Sequence, residues 1–266
     1  MTERILYFDC FSGIAGDMTL GALLDLGADR AGLEKALRTL PLSDWSLEVD
    51  VDRRGGLRGV NVQVWISGQK EGPAVSDHGT KVGPDHAHGH AGAHDDGDGY
   101  HDPQDHHHGE HRHYADIVAI IEGGSLPAPV VKSALTAFRI LAEAEAHVHG
   151  VSLEDVHFHE VGAVDSIIDI VGVSWCIWNL GVTRIECAPI PLGRGFVKCA
   201  HGRVPLPAPA TLEITRGLEV IDAGLDRELV TPTGAAFIKA WAQAVGPIPA
   251  MRVDRVGWGF GDAEFP

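Results

Sequence analysis

Two periodicities run along the chain, and the switches between them mark its elements. Ile5-Leu6-Tyr7-Phe8 is a short apolar run ending at Asp9, which predicts a buried strand. Met18, Leu20, Leu23, Leu24 and Leu26 follow at helical spacing, with Gly27 placed to cap that helix. Residues 31–40 predict a second helix, stopped by Pro41. Residues 45–52 and 59–67 alternate apolar and polar positions on either side of Arg53-Arg54-Gly55-Gly56, the pattern of a β-hairpin. Apolar positions 117, 118, 120 and 121 predict a helix over 114–122, ended by Gly123-Gly124. Pro127 and Pro129 suit the first turn of a longer helix that runs to His149 and stops at Gly150.

Beyond it, Ser152 with Asp155 resembles a short N-cap. Residues 156–161 read as a strand, 164–180 as a buried helix and 185–190 as another short strand. Proline and glycine make 189–209 read mostly as loop. Leu229-Val230 and Thr231-Pro232-Thr233-Gly234 lead into a last helix over 235–245, and no internal repeat is present. The expected class is α/β (or α+β): a small N-terminal α/β unit over 1–77 and a larger helix-rich α/β unit over 114–266.

The two units are separated by an abrupt change of composition. Residues 78–113 hold 11 of the 16 histidines, seven glycines and seven acidic residues, with almost nothing apolar. Such a stretch cannot bury enough surface to offset its ordering entropy, so it is expected to be a disordered loop. His86, His88 and His90, and the run His106-His107-His108, place many imidazoles within reach of one ion. A solvated linker has no need of histidine, so the loop reads as a metal-binding store of low selectivity.

Charge and cysteine content narrow the class further. The chain of 266 residues carries 21 Lys+Arg against 37 Asp+Glu, a net charge of −16. That balance repels nucleic-acid backbones and anionic membranes and favours cations. Hydrophobic residues make up 44%, enough for a core. Cys10, Cys176, Cys187 and Cys199 form no CxxC pair, which excludes a disulfide scaffold or zinc ribbon and suits a reducing compartment. There is no apolar run of membrane-spanning length, and the first residues lack the features of a signal peptide, so a cytoplasmic location is expected.

Four constellations could carry chemistry. In His157-Phe158-His159-Glu160-Val161-Gly162-Ala163-Val164-Asp165-Ser166-Ile167-Ile168-Asp169, a strand would put His157 and His159 on one face. A helix would put Asp165 and Asp169 on one face, and a turn at Gly162 would draw the two sets together. His157, His159, Glu160, Asp165 and Asp169 are therefore candidate ligands for a divalent ion; capping and ion pairing would explain them equally well, but two acids inside an apolar helix favour function. Asp9 stands at a strand's C-terminal end before Ser12-Gly-x-x-Gly16-Asp17, where α/β proteins bind ligands. Asp9 and Asp17 are expected to complete the metal pocket and act in catalysis. Arg194, Lys198, His201 and Arg203 cluster in Leu192-Gly-Arg-Gly-Phe-Val-Lys-Cys-Ala-His-Gly-Arg203; Arg194 and Lys198 could meet phosphate or carboxylate, and His201 could be an acid or base. A solvated basic loop explains this segment equally well. Thr231 and Pro232 are fully explained as a helix start.

YFDCFSGIAGDM, HRHYADI, HFHEVGAVDSIIDIVG, PIPLGRGFVKCAHG and ELVTPTGAA, in that order, resemble the LarC family of nickel insertion proteins. The resemblance runs from Ile5 to about Gly261. It implies CTP-dependent insertion of Ni(II) into a pyridinium bis-thiocarboxylate mononucleotide, a lyase-type cyclometallation that forms a carbon–nickel bond. It further implies Mg or Mn with CTP, release of CMP and pyrophosphate, a lactate racemase cofactor as product, and a histidine-rich nickel reservoir. Family members continue into a second domain that binds CTP and mediates homo-oligomerisation. This chain, ending at Pro266, is thus expected to be the nickel-handling part, and no CTP-site residue carries over. The competing expectation is a nickel storage or delivery protein without catalysis; a metal-dependent hydrolase built on the aspartates is a third.

Overall fold

The computed structural model describes residues 3–70, 112–158, 163–199 and 202–262. Of the disordered histidine store expected over 78–113, residues 78–111, including His86, His88, His90, His106, His107 and His108, lie outside the described residues, as do His159, Glu160 and His201, whereas Arg112 and His113 form a strand.

The first described stretch runs β1 (Ile5–Phe8), α1 (Gly16–Asp25), α2 (Arg30–Leu37), β2 (Trp45–Arg54), β3 (Leu57–Ile66) and β4 (Gln69–Lys70). After β5 (Arg112–His113) come α3 (Tyr114–Glu122), α4 (Ala128–His149), a 3-10 turn over Leu153–Asp155, β6 (His157–Phe158) and α5 (Val164–Asn179). Next are β7 (Arg184–Cys187), β8 (Ile190–Leu192), β9 (Gly195–Cys199), β10 (Gly202–Leu206), α6 (Pro209–Thr215) and β11 (Val220–Asp222). The chain closes with α7 (Pro232–Trp241), β12 (Ala244–Val245) and β13 (Gly259–Phe260). The class is α/β, with helices and mixed sheets intermingled.

Local rules account for most of the boundaries. Pro127 precedes α4 and Gly150, at φ +66°, ends it in the left-handed region that glycine tolerates. Thr231 caps α7: its Oγ1 accepts from the Gly234 N–H at 3.2 Å. The alternation in β2 and β3 pairs Trp45 with Ile66 and Arg54 with Leu57 in an antiparallel ladder. One expectation is corrected. Residues 189–209 are not mostly loop: β8 pairs in parallel with β11, and β9 pairs with β10 in an antiparallel hairpin. Short two-stranded ladders tolerate the prolines and glycines that a central strand would not.

The stretches before and after the histidine-rich segment interleave in space. β1 lies parallel to β7, which lies parallel to β12, giving one sheet with strands from both ends of the chain. β13 lies parallel to β3 and extends the hairpin sheet. α1 is held between that sheet and α5, while α4 packs on α5, α6 and α7. One continuous core results, with Leu20, Leu33, Phe138, Phe158, Ile167, Ile168 and Phe237 fully buried. Each such side chain contributes roughly 1.5–3 kcal/mol by leaving water.

The close fit of β13 on α1 explains the alternating glycines of Gly257-Trp258-Gly259-Phe260-Gly261. With period two, all three glycines share one face of the strand. A Cβ at Gly259 would stand 1.8 Å from the Met18 carbonyl oxygen, and one at Gly257 2.2 Å from that of Ala22. Side chains there would push the strand off the helix.

Candidate metal and catalytic site

Two helix starts meet where α1 packs on α5. Asp17 is in the first turn of α1, Asp165 in the first turn of α5, and Asp169 one turn further along α5. α1 and α5 pack side by side, so these three acids face a common interior. The approach depends on Gly16: a Cβ there would lie 2.3 Å from Asp169 Oδ2. The carboxylate of Asp169 thus rests directly on the backbone that starts α1.

Burial sets the electrostatics. Desolvation raises the Asp17 carboxyl to about 6, with Asp262 and Asp165 adding to the rise and the Met18 N–H and Lys70 opposing it. Asp165 is raised by burial, against hydrogen bonds from Ser166; its Oδ1 accepts from the Ser166 N–H at 2.7 Å. Asp169 is held well above the usual carboxylate range by burial and by the charges of Asp17 and Asp165. Its Oδ1 is buried and has no hydrogen-bond partner among the described residues. An unpartnered buried carboxylate oxygen is expensive, and either a proton or a cation relieves it. The N-termini of α1 and α5 soften the cost, since their exposed N–H groups carry partial positive charge.

The other predicted residues are distributed elsewhere. His157 is exposed on β6 and stands opposite His113 of β5, with ring centroids 3.9 Å apart and ring planes at 50°. Among the described residues, no three His, Cys, Asp or Glu side chains are set as a group that could hold a metal ion. The acids are thus not a preformed cage, and His157 is not drawn in with Asp165 and Asp169. Asp9 is exposed just past the end of β1 and lines a cleft of about 1720 Å³ together with Phe11, Arg53, Arg54, Arg252 and Arg255. Cys10, next to it, hydrogen-bonds Cys187 with the sulfurs 3.7 Å apart, and this contact and burial push its thiol up. Arg194 is exposed and paired with Asp222 at 3.7 Å and Asp226 at 3.2 Å. The side chain of Lys198 lies outside the described residues.

Sequence reasoning counted His113 in the disordered loop over 78–113, whereas it stands in β5 directly before α3. It passed over Lys70 and Asp262, which form an ion pair at 2.7 Å beside Asp17. Nothing local marks these two, because they lie 53 and 245 positions from Asp17 in the chain.

These features define an α/β protein with a half-buried carboxylate cluster where two helices begin. The chain belongs to the nickel insertion protein family, whose model matches residues 6–266. A relative from Geobacter metallireducens is 44% identical over 98% of this chain and 58% of its own length. A pyridinium-3,5-bisthiocarboxylic acid mononucleotide nickel insertion protein from Geobacillus kaustophilus is 41% identical over 99% of this chain and 57% of its own. A protein of the same description from Desulfitobacterium hafniense is 41% identical over 97% of this chain and 54% of its own. The chain therefore spans a little over half the length of the curated relatives it matches. No solved structure matches it. No helix among the described residues is long and apolar enough to cross a membrane.

Proposed function

We propose that this chain is the nickel-handling part of an insertase that places Ni(II) into a pyridinium-3,5-bisthiocarboxylic acid mononucleotide. In this reading the reaction is CTP-dependent, uses Mg or Mn with the nucleotide, and builds the nickel-pincer cofactor of lactate racemase. Family membership and the substrate in the names of the Geobacillus and Desulfitobacterium relatives support the reaction. The unpartnered Asp169 carboxylate facing Asp17 and Asp165 is the observation that carries it to particular residues. The second, CTP-binding domain would be supplied by the remainder of a full-length protein, assembled as a homo-oligomer in the cytoplasm.

Nickel is the substrate of this site. Oxygen donors hold it loosely enough to give it up, which a closed thiolate cage would not. Asp165 and Asp169 would receive the ion, His157, His159 and Glu160 would feed it in, and Arg194, Lys198 and His201 would meet the anionic substrate. Arg194 would have to exchange Asp222 and Asp226 for the substrate's phosphate. An all-oxygen set also suits Mg or Mn. Forming the carbon–nickel bond at a ring carbon replaces a C–H bond: the electron pair stays with carbon, and one proton leaves. Asp17, held near 6, is matched to accept that proton near neutral pH. Asp9, at the rim of the cleft, would serve the same chemistry from the substrate side.

The test is nickel insertion by this chain supplied with the family's C-terminal domain, the mononucleotide, Ni(II), Mg and CTP. Asp169→Asn, shown to be folded by circular dichroism, is expected to lose at least ~100-fold in rate. Wild-type rates would remove the carboxylate cluster from the reaction. Nickel binding without any insertion by the wild-type protein would instead favour storage, a reading supported by the histidine-rich composition.

A further inference from the structure

The His113–His157 pair is independent of the carboxylate cluster and is built like a chelate. The two residues are direct partners in the β5–β6 ladder, so their side chains leave the same face at neighbouring positions. Their rings are 3.9 Å apart between centroids, close enough for one nitrogen from each to reach a common ion. Both backbones are firmly seated. Phe158, next to His157, is fully buried and packs edge-on against Phe138 at 6.4 Å, which turns His157 outward. His113 is the N-cap of α3, and its N–H donates to Asp116 Oδ2 at 2.9 Å. Groups fixed in this way need little rearrangement to bind.

We propose that His113 and His157 form a docking site for a single transition-metal ion of borderline softness, Ni(II) in particular. Paired imidazoles favour Ni, Co, Cu or Zn over Mg or Ca. Among the described residues no third His, Cys, Asp or Glu completes a metal-holding group with them; an ion held by two imidazoles keeps open positions and exchanges. His157 is exposed and His113 partly so; the ion reaches the pair from solvent without opening the core. Only the identity of the physiological ion rests on the nickel-insertion reading; the pair itself does not.

The experiment uses the full chain with the ten histidines from His78 to His111 replaced by asparagine, which removes competing imidazoles. Calorimetric titration with nickel sulfate reads the remaining affinity, with magnesium sulfate as the control cation. His113→Asn keeps a residue able to cap α3 while deleting the imidazole, and His157→Asn is the matching change. Each is expected to weaken one equivalent of Ni(II) by at least ~10-fold, since losing even an outer partner of a ligand costs that much. The double variant should bind this equivalent no more tightly than either single one. Wild-type nickel affinity in either histidine variant overturns the proposal, as does equal binding of Mg(II). Insertion is not read here, so a failed insertion assay leaves this result standing.

Discussion

Replacing Asp17 by asparagine should make the metal-free protein more stable, and only at higher pH. The native structure holds this carboxyl at about 6, against an ordinary value of 3.8, chiefly because burial penalises its charge. Between those values the unfolded chain binds fewer protons than the native one, so stability falls as pH rises through that window. Above about 6 the cost is fully present and amounts to about 3 kcal/mol. Below 3.8 both states are protonated and the cost vanishes. Asparagine has the same shape, stays neutral and keeps an oxygen for the Met18 N–H. Urea denaturation in the presence of a chelator, at pH 8 and at pH 4, reads the difference. Asp17→Asn is expected to gain up to about 3 kcal/mol at pH 8, worth roughly 6–12 °C in Tm for a chain of this size. At pH 4 the two proteins should agree within about 0.5 kcal/mol. An equal loss of stability at both pH values would mean that Asp17 is a satisfied structural acid, and the reasoning about a strained carboxylate cluster would fall with it.

Two further substitutions test the frame around the site. Gly16→Ala inserts a methyl 2.3 Å from Asp169 Oδ2, and overpacking of this kind should cost about 1–3 kcal/mol in denaturation experiments while displacing the Asp169 side chain. Thr231→Ala removes the oxygen that accepts from Gly234 N–H and should cost about 0.5–2 kcal/mol, with α7 fraying first in hydrogen exchange.

Elements that rest on local rules were readable in the sequence. The hairpin of β2 and β3, the long helix α4 with its proline start and glycine stop, and α5 follow from periodicity and capping. The β9–β10 hairpin was hidden, since Pro205 and the glycines around it signal loop to any short-window reading. The site divides along the same line. Asp165 and Asp169 are four residues apart on one helix and announce themselves. Their proximity to Asp17 depends on α1 packing against α5 across more than half the chain, which no local period encodes. A turn at Gly162 was expected to draw His157 and the acids together; β6 pairs His157 with His113. Strand pairing between distant segments is set by the whole fold, so that partnership could not be seen from either segment alone.

The order of strands in the parallel sheet also shapes how the protein is born. β1 and its neighbour β7 are separated by roughly 180 residues, so β1 leaves the ribosome about 10–35 s before its partner at ordinary synthesis rates. Throughout that interval β1 lacks the strand it lies beside in the folded sheet, and its apolar residues are open to chaperones and to other chains. Completion of the hairpin sheet likewise waits for β13 to settle onto β3 and α1.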